Sequence, residues 1–502
     1  MGVDIQNEHF TQAERNRFAQ RLDEGLRALD LLLKRPGFAL GERTLGAELE
    51  LCLIDEHGRP IAISQEIVNE ANTPSITPEM GCFDIELSTP PCTVQGNPFA
   101  CLRESMQSTV NRIRSLAAKH GGRAVPISIL PTLRSEDFNE ATITDLPRYR
   151  ALAREMRSQR MEPAEIAIEG DDSLRLVSPD AVSMEAANTA FQVHLSTTPG
   201  EFADLFNAAM LLSGPVIAAA ANSPTFLGRR LWHETRVALF KQAGDDRPLG
   251  PDADIRLPPR VHFGNGWVRE GAHELFMESV ALYRPYLAEC GEEEDAVALA
   301  RAGKAPLLSE LRLHHGTIWT WNRPVYDPSH GGGLRIELRA LPAGPSYEDM
   351  LANAAFLIGA MLALRPRIRT LCAELPFTLA TRNFYASAQY GLDAQLFWPT
   401  HSATAPRPVR ARELVLSLIP DAQDGLREAG VDSAEAEHYL GIFERRVRSG
   451  QTGAVWQRRV LAQLEQRGLS RDAALSALLE RYIQGFDSLR PVHMWPTAEE
   501  DT

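Results

Sequence analysis

The chain has 502 residues, 44% of them hydrophobic, enough for one large catalytic unit with appendages or for about three domains. A formal charge of −14 argues against nucleic acid or an anionic membrane as the main partner, and it requires any nucleotide site to carry local arginine or metal. The six cysteines, none in a C-x-x-C pair, fit free thiols in a reducing cytoplasm better than a disulfide framework or a zinc site.

Residues 1–20 lack the apolar core of a signal peptide. The runs Met210–Ala221 and Leu351–Leu364 are too short to cross a bilayer and read as buried helices. A soluble, cytoplasmic protein is the expectation. Thr11 to Lys34 carries apolar residues at helical spacing and forms an N-terminal helical segment, 1–40, on the outside of the main domain.

Leu45 to Asp55 alternates strictly. Ala47, Leu49, Leu51 and Leu53 face one way, Glu48 and Glu50 the other, and His57-Gly58-Arg59-Pro60 turns the chain as in a hairpin. Two carboxylates two residues apart on a strand lie about 6–7 Å apart on one face. Water, arginine or a hard cation such as Mg²⁺ must separate them. Cys82 to Pro91 repeats the pattern, with Phe83, Ile85 and Leu87 inward and Asp84, Glu86 and Ser88 on the polar side. Pro98 to Lys119 reads as a helix, Ile127 to Leu130 as a short strand, and Pro147-Arg148-Tyr149 opens a charged helix through Arg160.

Phe191 to Ser196 is a third such strand, with Gln192 and His194 polar-side; a ligand role for His194 and a structural one are equally weighted. Thr198-Pro199-Gly200-Glu201 starts a helix that Gly214-Pro215 should kink or divide. Arg229, Arg230, Arg236, Lys241 and Arg247 cluster as a candidate anion contact against a background of ordinary surface charge. Asp252 to Gly266 reads as a substrate loop or a connector, and the acidic run 292–295 as a solvated helix end. From Leu307 period two continues through His314 and His315 to Pro324.

The fourth strand follows three glycines. Leu334, Ile336, Leu338 and Ala340 form its dry face, and Arg335, Glu337 and Arg339 its polar one. Ser346 and Asp349 cap an apolar helix through Leu364. Polar-faced strand followed by apolar helix thus occurs twice, implying one sheet with helices behind it and a cleft in front. Beyond about residue 403 the chain is helical, interrupted at Arg445–Gly453 by a basic loop that reads as a connector before a phosphate contact.

Together the polar faces present Glu48, Glu50, Asp84, Glu86, His194 and Glu337 beside Arg335 and Arg339. Such a set suits metal-assisted nucleotide chemistry, in which metals bridge phosphate oxygens and guanidiniums meet developing negative charge. The chain carries no Walker A motif, dinucleotide fingerprint or G-x-S-x-G.

Gly46-x-Glu48-x-Glu50, Glu86-Leu-Ser-Thr-Pro, Gln192-Val-His194, Ala221-Asn-Ser-Pro224 and Arg335-Ile-Glu-Leu-Arg339 resemble the glutamate–cysteine ligase family, in its plant and bacterial branch with its carboxylate–amine ligase relatives. Pro147-Arg148-Tyr149 and the spacing from Arg236 to Asp246-Arg247 match that branch as well. The resemblance implies an α+β, glutamine-synthetase-like fold: a curved, mainly antiparallel sheet with helices on one face and an open funnel on the other. It implies a catalytic domain, 41–400, followed by a helical extension, 401–502.

It also implies ATP and Mg²⁺ (or Mn²⁺) as cofactors, with phosphorylation of a glutamate γ-carboxylate and attack by an amine. Glu48, Glu50, Glu86, Glu337 and His194 would hold metal. Arg339, with Arg335 and Glu337, would serve the chemistry, Arg339 contacting phosphate. Arg236 and Arg247, with Gln192 and Tyr149, would hold the substrate. Cysteine is the leading amine; a ligase of the same type using another carboxylate or amine, and a non-catalytic nucleotide or amino-acid binder, remain open.

Overall fold

The computed structural model describes residues 5–160, 162–178, 180–247, 257–292, 294–399 and 405–497. Part of the expected substrate loop, 252–256, and residue 293 of the acidic run lie outside the described residues. Within that run Asp295 caps the Ala296–Arg301 helix by accepting from the Ala298 amide at 2.9 Å.

The protein is α+β. Eight strands form the main sheet: β1 Thr44–Ile54, β2 Ile76–Pro78, β3 Asp84–Ser88, β4 Cys92–Thr93, β5 Arg123–Val125, β6 Phe191–Ser196, β7 Asn322–Asp327 and β8 Gly333–Leu338. Their order is β7-β8-β6-β1-β3-β2, with β4 and β5 also on β1, and every pairing is antiparallel. Alternation decides the faces. Leu45, Ala47, Leu49 and Leu51 of β1, Phe191, Val193 and Leu195 of β6, and Leu334, Ile336 and Leu338 of β8 are all buried in the larger core. Phe83 departs from the expected face: it precedes β3 and joins a second core, while Ile85 and Leu87 stay in the first.

Three helices cover the dry face: Pro98–Lys119, Pro199–Ala220 and Tyr347–Leu364. The last two are apolar on nearly every side, as core helices are. Among the described residues two helices, Pro199–Ala220 and Tyr347–Glu374, are longer than the apolar runs suggested and are long and apolar enough to cross a membrane, but both are mostly buried in the fold. The helix is not divided at Gly214-Pro215: it runs on through Pro215 to Ala220, surrounded by core packing. The N-terminal helix is Gln12–Leu33, closed by a capping box between Thr11 and Glu14.

Other expectations shift for local reasons. The strand expected at 127–130 lies earlier, at β5, because Pro126 has no amide to continue the ladder. The hairpin after β1 returns as a single bridge between Ile54 and Pro60. Residues 309–315 form a helix, and strand structure resumes only at Trp319. The basic loop expected at 445–453 is mostly the end of the Ser433–Ser449 helix. There Arg446, 1% exposed, pairs with buried Asp349 at 2.8 Å. The expectation of free thiols fails at one pair: Cys92 of β4 is bonded to Cys101 in the first turn of the adjacent helix, a contact that spacing alone does not reveal.

The C-terminal helices are integral to the packing. Ala411–Glu428 lies on Tyr347–Leu364 so closely that a Cβ at Gly359 or Gly425 would overlap the opposing backbone. Helices Gly453–Gln466 and Arg471–Asp487 close the second core, where Trp456, Tyr482 and Trp495 meet edge to face.

Candidate active site

The sheet register turns the alternating pattern into a site. Glu337 of β8 lies opposite His194 of β6, Glu48 of β1 opposite Gln192, and Glu50 opposite Glu86 of β3. The five expected metal ligands therefore divide into two groups. Glu48, His194 and Glu337 bring one ligand atom each to within 4.8 Å of one another; Glu50 and Glu86 do the same with Glu79, from the loop after β2. His194 Nε2 stands 3.4 Å from Glu48 Oε1, and neither ring nitrogen has a hydrogen-bond partner. A buried imidazole left unpaired beside two carboxylates is a fitting ligand for a cation. Oxygen-rich sets of this kind suit Mg²⁺ or Mn²⁺.

One guanidinium connects the groups. Arg339 NH1 donates to Glu337 Oε1 at 3.0 Å and to Gln192 Oε1 at 2.6 Å, and Gln192 Nε2 donates to Glu50 Oε1 at 2.9 Å. Glu50 Oε2 also accepts from the Ala190 amide at 2.6 Å. On the far side of Glu337, Arg323 of β7 donates from Nε at 2.5 Å and from NH2 at 3.0 Å, a bidentate clamp that fixes the carboxylate plane.

The electrostatics differ between groups. Burial opposes charge on Glu337, yet Arg323, Arg339 and His194 hold it well below the usual carboxylate range. Against the same burial, His194 takes Glu48 down to about 2. Burial, reinforced by neighbouring carboxylates, pushes Glu50 and Glu86 well above their ordinary values, and likewise Asp84 beside them. Glu185, from the short 3-10 helix before β6, is pushed up to about 8 by burial and by Glu79. Arg339 offsets only part of the mutual repulsion in this set of buried carboxylates, and divalent cations would supply further positive charge.

Other expected site residues scatter. Tyr149 reaches the second group: its hydroxyl donates to Pro78 O at 3.1 Å, and burial followed by Glu79 raises its pKa. Arg236, 3% exposed, donates from Nε to Glu234 at 3.1 Å, donates also to Ala340 O, and lies 5.4 Å from the Trp321 ring centre. Arg335 pairs with Asp327 at 3.1 Å at the rim. Arg247 pairs with Asp245 at 2.6 Å and is not brought to either carboxylate group among the described residues. The basic patch dissolves: Arg230 faces Asp172, Lys241 lies over Tyr385, and only Arg236 turns inward.

Four important residues escaped the sequence reading. Glu79 sits in a loop and Glu185 in the short 3-10 helix Ala181–Ala187, without alternation to reveal their direction. Arg323 is visible only once β7 is registered against β8. Glu234, fully buried, accepts from Ser128 Oγ at 2.9 Å and the Asn222 amide at 2.7 Å while holding Arg236.

Two spaces adjoin these groups. A cleft of about 440 Å³ opens beside Glu48 and His194, rimmed by Arg43, Arg335 and the Gly332-Gly333 run. Gly332, at φ 97°, lies where a Cβ would meet the Phe38 ring 2.6 Å away. Deeper in, Glu50, Glu185, Arg236 and Arg339 face Trp319 and Trp321 around a nearly filled space of about 20 Å³.

The chain is similar to known proteins in sequence and in fold. The sequence model of glutamate-cysteine ligase family 2 matches residues 44–476. A putative glutamate–cysteine ligase 2-3 of Rubrobacter xylanophilus is 28% identical over 426 residues, covering 84% of this chain and 93% of that protein. A glutamate–cysteine ligase of Halobacterium salinarum is 32% identical over 113 residues, 22% of this chain and 29% of its own length. The solved glutamate–cysteine ligase of Francisella tularensis, in complex with AMP, superposes at a TM-score of 0.54 with 12% identity, covering 91% of this chain and 90% of that one. That last likeness is one of fold: a curved antiparallel sheet backed by helices.

Proposed function

The chain belongs to glutamate-cysteine ligase family 2 and is a carboxylate–amine ligase, and we propose that it couples ATP hydrolysis to formation of a γ-glutamyl amide. The observation that carries this reading is the pair of carboxylate groups joined through Arg339 and Gln192. In the first step a γ-carboxylate oxygen of glutamate attacks the γ-phosphorus of ATP, and ADP leaves. In the second the amine nitrogen attacks the acyl carbon, phosphate departs, and the ammonium proton is lost.

The cleft beside Glu48 and His194 is where nucleotide is proposed to enter, its phosphates directed at Glu48, His194 and Glu337. The two carboxylate groups would hold Mg²⁺, which would neutralise phosphate charge and so ease both attack and departure. Arg323 keeps Glu337 ionised and oriented. Arg339 presents a guanidinium between the groups, where charge develops on the transferred phosphoryl. Arg236, held by Glu234 and beside Trp321, is the proposed contact for a substrate carboxylate; the inner space beside Arg339 is nearly filled, so the substrate would have to widen it to reach that guanidinium. Cysteine is the proposed amine, and a different amine is the second reading, since Phe240, Trp319 and Trp321 line that inner space.

ADP release by the purified protein with Mg²⁺, ATP and glutamate, amines supplied one at a time, tests this. Turnover that requires both glutamate and one amine, and that Glu337→Gln abolishes, is the expected result. ATP binding without turnover across all amines would instead favour a non-catalytic binder.

A further inference from the structure

We propose that a second cavity, on the helix side of β7, binds a small organic molecule in which an ammonium group is joined to an apolar or aromatic body. Along β7, Arg323 points to Glu337, while Asn322 on the opposite face donates to Ser213 Oγ at 3.1 Å in the Pro199–Ala220 helix. On that opposite face, against Asn322 and Pro324, lies a cavity of about 270 Å³. This is near the lower end of ligand sites, which span roughly 300–1,000 Å³. No member of the two carboxylate groups lines it, so the inference stands independently of the ligase reading.

Its walls are apolar and fixed. Phe206 and Met210 come from the core helix; Phe263 and Trp267 come from the opposite side. Trp267 is anchored by its indole N–H on Leu375 O at 3.1 Å and meets Phe377 edge to face. His315 also lines the cavity, with both ring nitrogens lacking a hydrogen-bond partner and burial pushing its pKa down to about 3, so it adds no positive charge. His262 is neutral for the same reason and is held by Tyr283 at 2.7 Å.

The mouth carries Glu274, Glu278 and Arg269. Glu274 is already engaged, accepting from the Arg269 and Glu270 amides at 2.8 and 2.9 Å. Glu278 accepts only from Asn265 Nδ2, at 2.7 Å, among the described residues. It is therefore the carboxylate left to meet an ammonium, with aromatic faces beside it to receive the cation's apolar body. The ammonium compound has two possible sources, a simple amine or an α-amino acid; the latter would also use Arg269.

Isothermal titration of the full chain without nucleotide distinguishes these, with 2-phenylethylamine, L-phenylalanine and the uncharged 2-phenylethanol as probes. The amine or the amino acid should bind at least tenfold more tightly than the alcohol. Glu278→Gln, at a half-buried position, should remove that preference while binding of the alcohol persists. Tighter binding of L-phenylalanine than of the amine assigns the site to an amino acid, and the reverse to a simple amine. Equal binding of all three, no binding, or displacement of the bound probe by Mg-ATP would overturn the inference. Absence of ligase turnover with intact probe binding would count against the proposed reaction and leave this site standing.

Discussion

Glu337 is held from both sides by arginine, and its neighbours predict unequal costs. Arg323→Ala removes the bidentate clamp without touching substrate. The loss in metal affinity or kcat/KM should be about 10–100-fold, as for other outer partners of metal ligands. Arg339→Lys keeps the charge but loses the planar guanidinium, whose NH1 donates to both Glu337 and Gln192 and whose remaining N–H groups are left for phosphate. Its kcat should fall by roughly 100-fold or more, the scale of a lost donor to developing charge. Steady-state kinetics at varied Mg²⁺ separates the two: excess metal should partly restore the first variant and not the second. At this scale much was legible in the sequence. Period two fixes which residues of a strand share a face, so alternation alone collects Glu48, Glu50, Glu86, Gln192, His194 and Glu337 on polar faces. Which of them stand together depends on strand order and register, which alternation does not encode. Glu79, Glu185 and Glu234, outside the strands, left no periodic trace.

Among elements, the joint between the Tyr347–Leu364 helix and the C-terminal helices is unusually exacting. Gly359 and Gly425 face each other backbone to backbone, so Gly359→Ala should cost about 1–3 kcal/mol or more through overpacking. Arg446 and Asp349 form an ion pair in which both partners are almost wholly buried. Asp349 Oδ2 also accepts from Ser346 Oγ and the Val492 amide, at 2.6 and 2.7 Å. Arg446→Met strands that carboxylate and should destabilise by about 3–5 kcal/mol. Denaturant unfolding of both variants checks these values; loss of less than about 0.5 kcal/mol, the range of ordinary surface changes, would mean that the C-terminal helices are peripheral. The helices themselves were readable from composition, and Ser346 as an N-cap from its spacing to Asp349. The helix–helix connector expected at Arg445–Gly453 is present but shorter, 450–452, because Arg446 lies in the last turn of the preceding helix, buried by Asp349, a partner far away in sequence.

For the whole molecule, the site stores electrostatic tension that pH should reveal. Burial raises Glu50, Glu86 and Asp84, and takes Glu185 to about 8. Groups raised in the folded state contribute stability that is full below their unfolded values, near pH 4, and is lost as pH rises toward the folded ones. Glu48, lowered to about 2, and Glu337 act oppositely: their contribution is present above about pH 4 and lost on acidification below it. The metal-free protein should therefore lose thermal stability from about pH 5 to about pH 8. Mg²⁺ should restore more of it at about pH 8 than at about pH 5.5, releasing protons as it binds. Calorimetry in buffers of different ionisation enthalpy measures that release.

The central claim is that a glutamate carboxylate is activated by phosphoryl transfer between the two carboxylate groups. Glutamate labelled with ¹⁸O in its γ-carboxylate, turned over with ATP, Mg²⁺ and the amine that supports activity, tests it directly by mass analysis of the released phosphate. One labelled oxygen appearing in each phosphate is the predicted result. Amide product formed with unlabelled phosphate would contradict the proposed route.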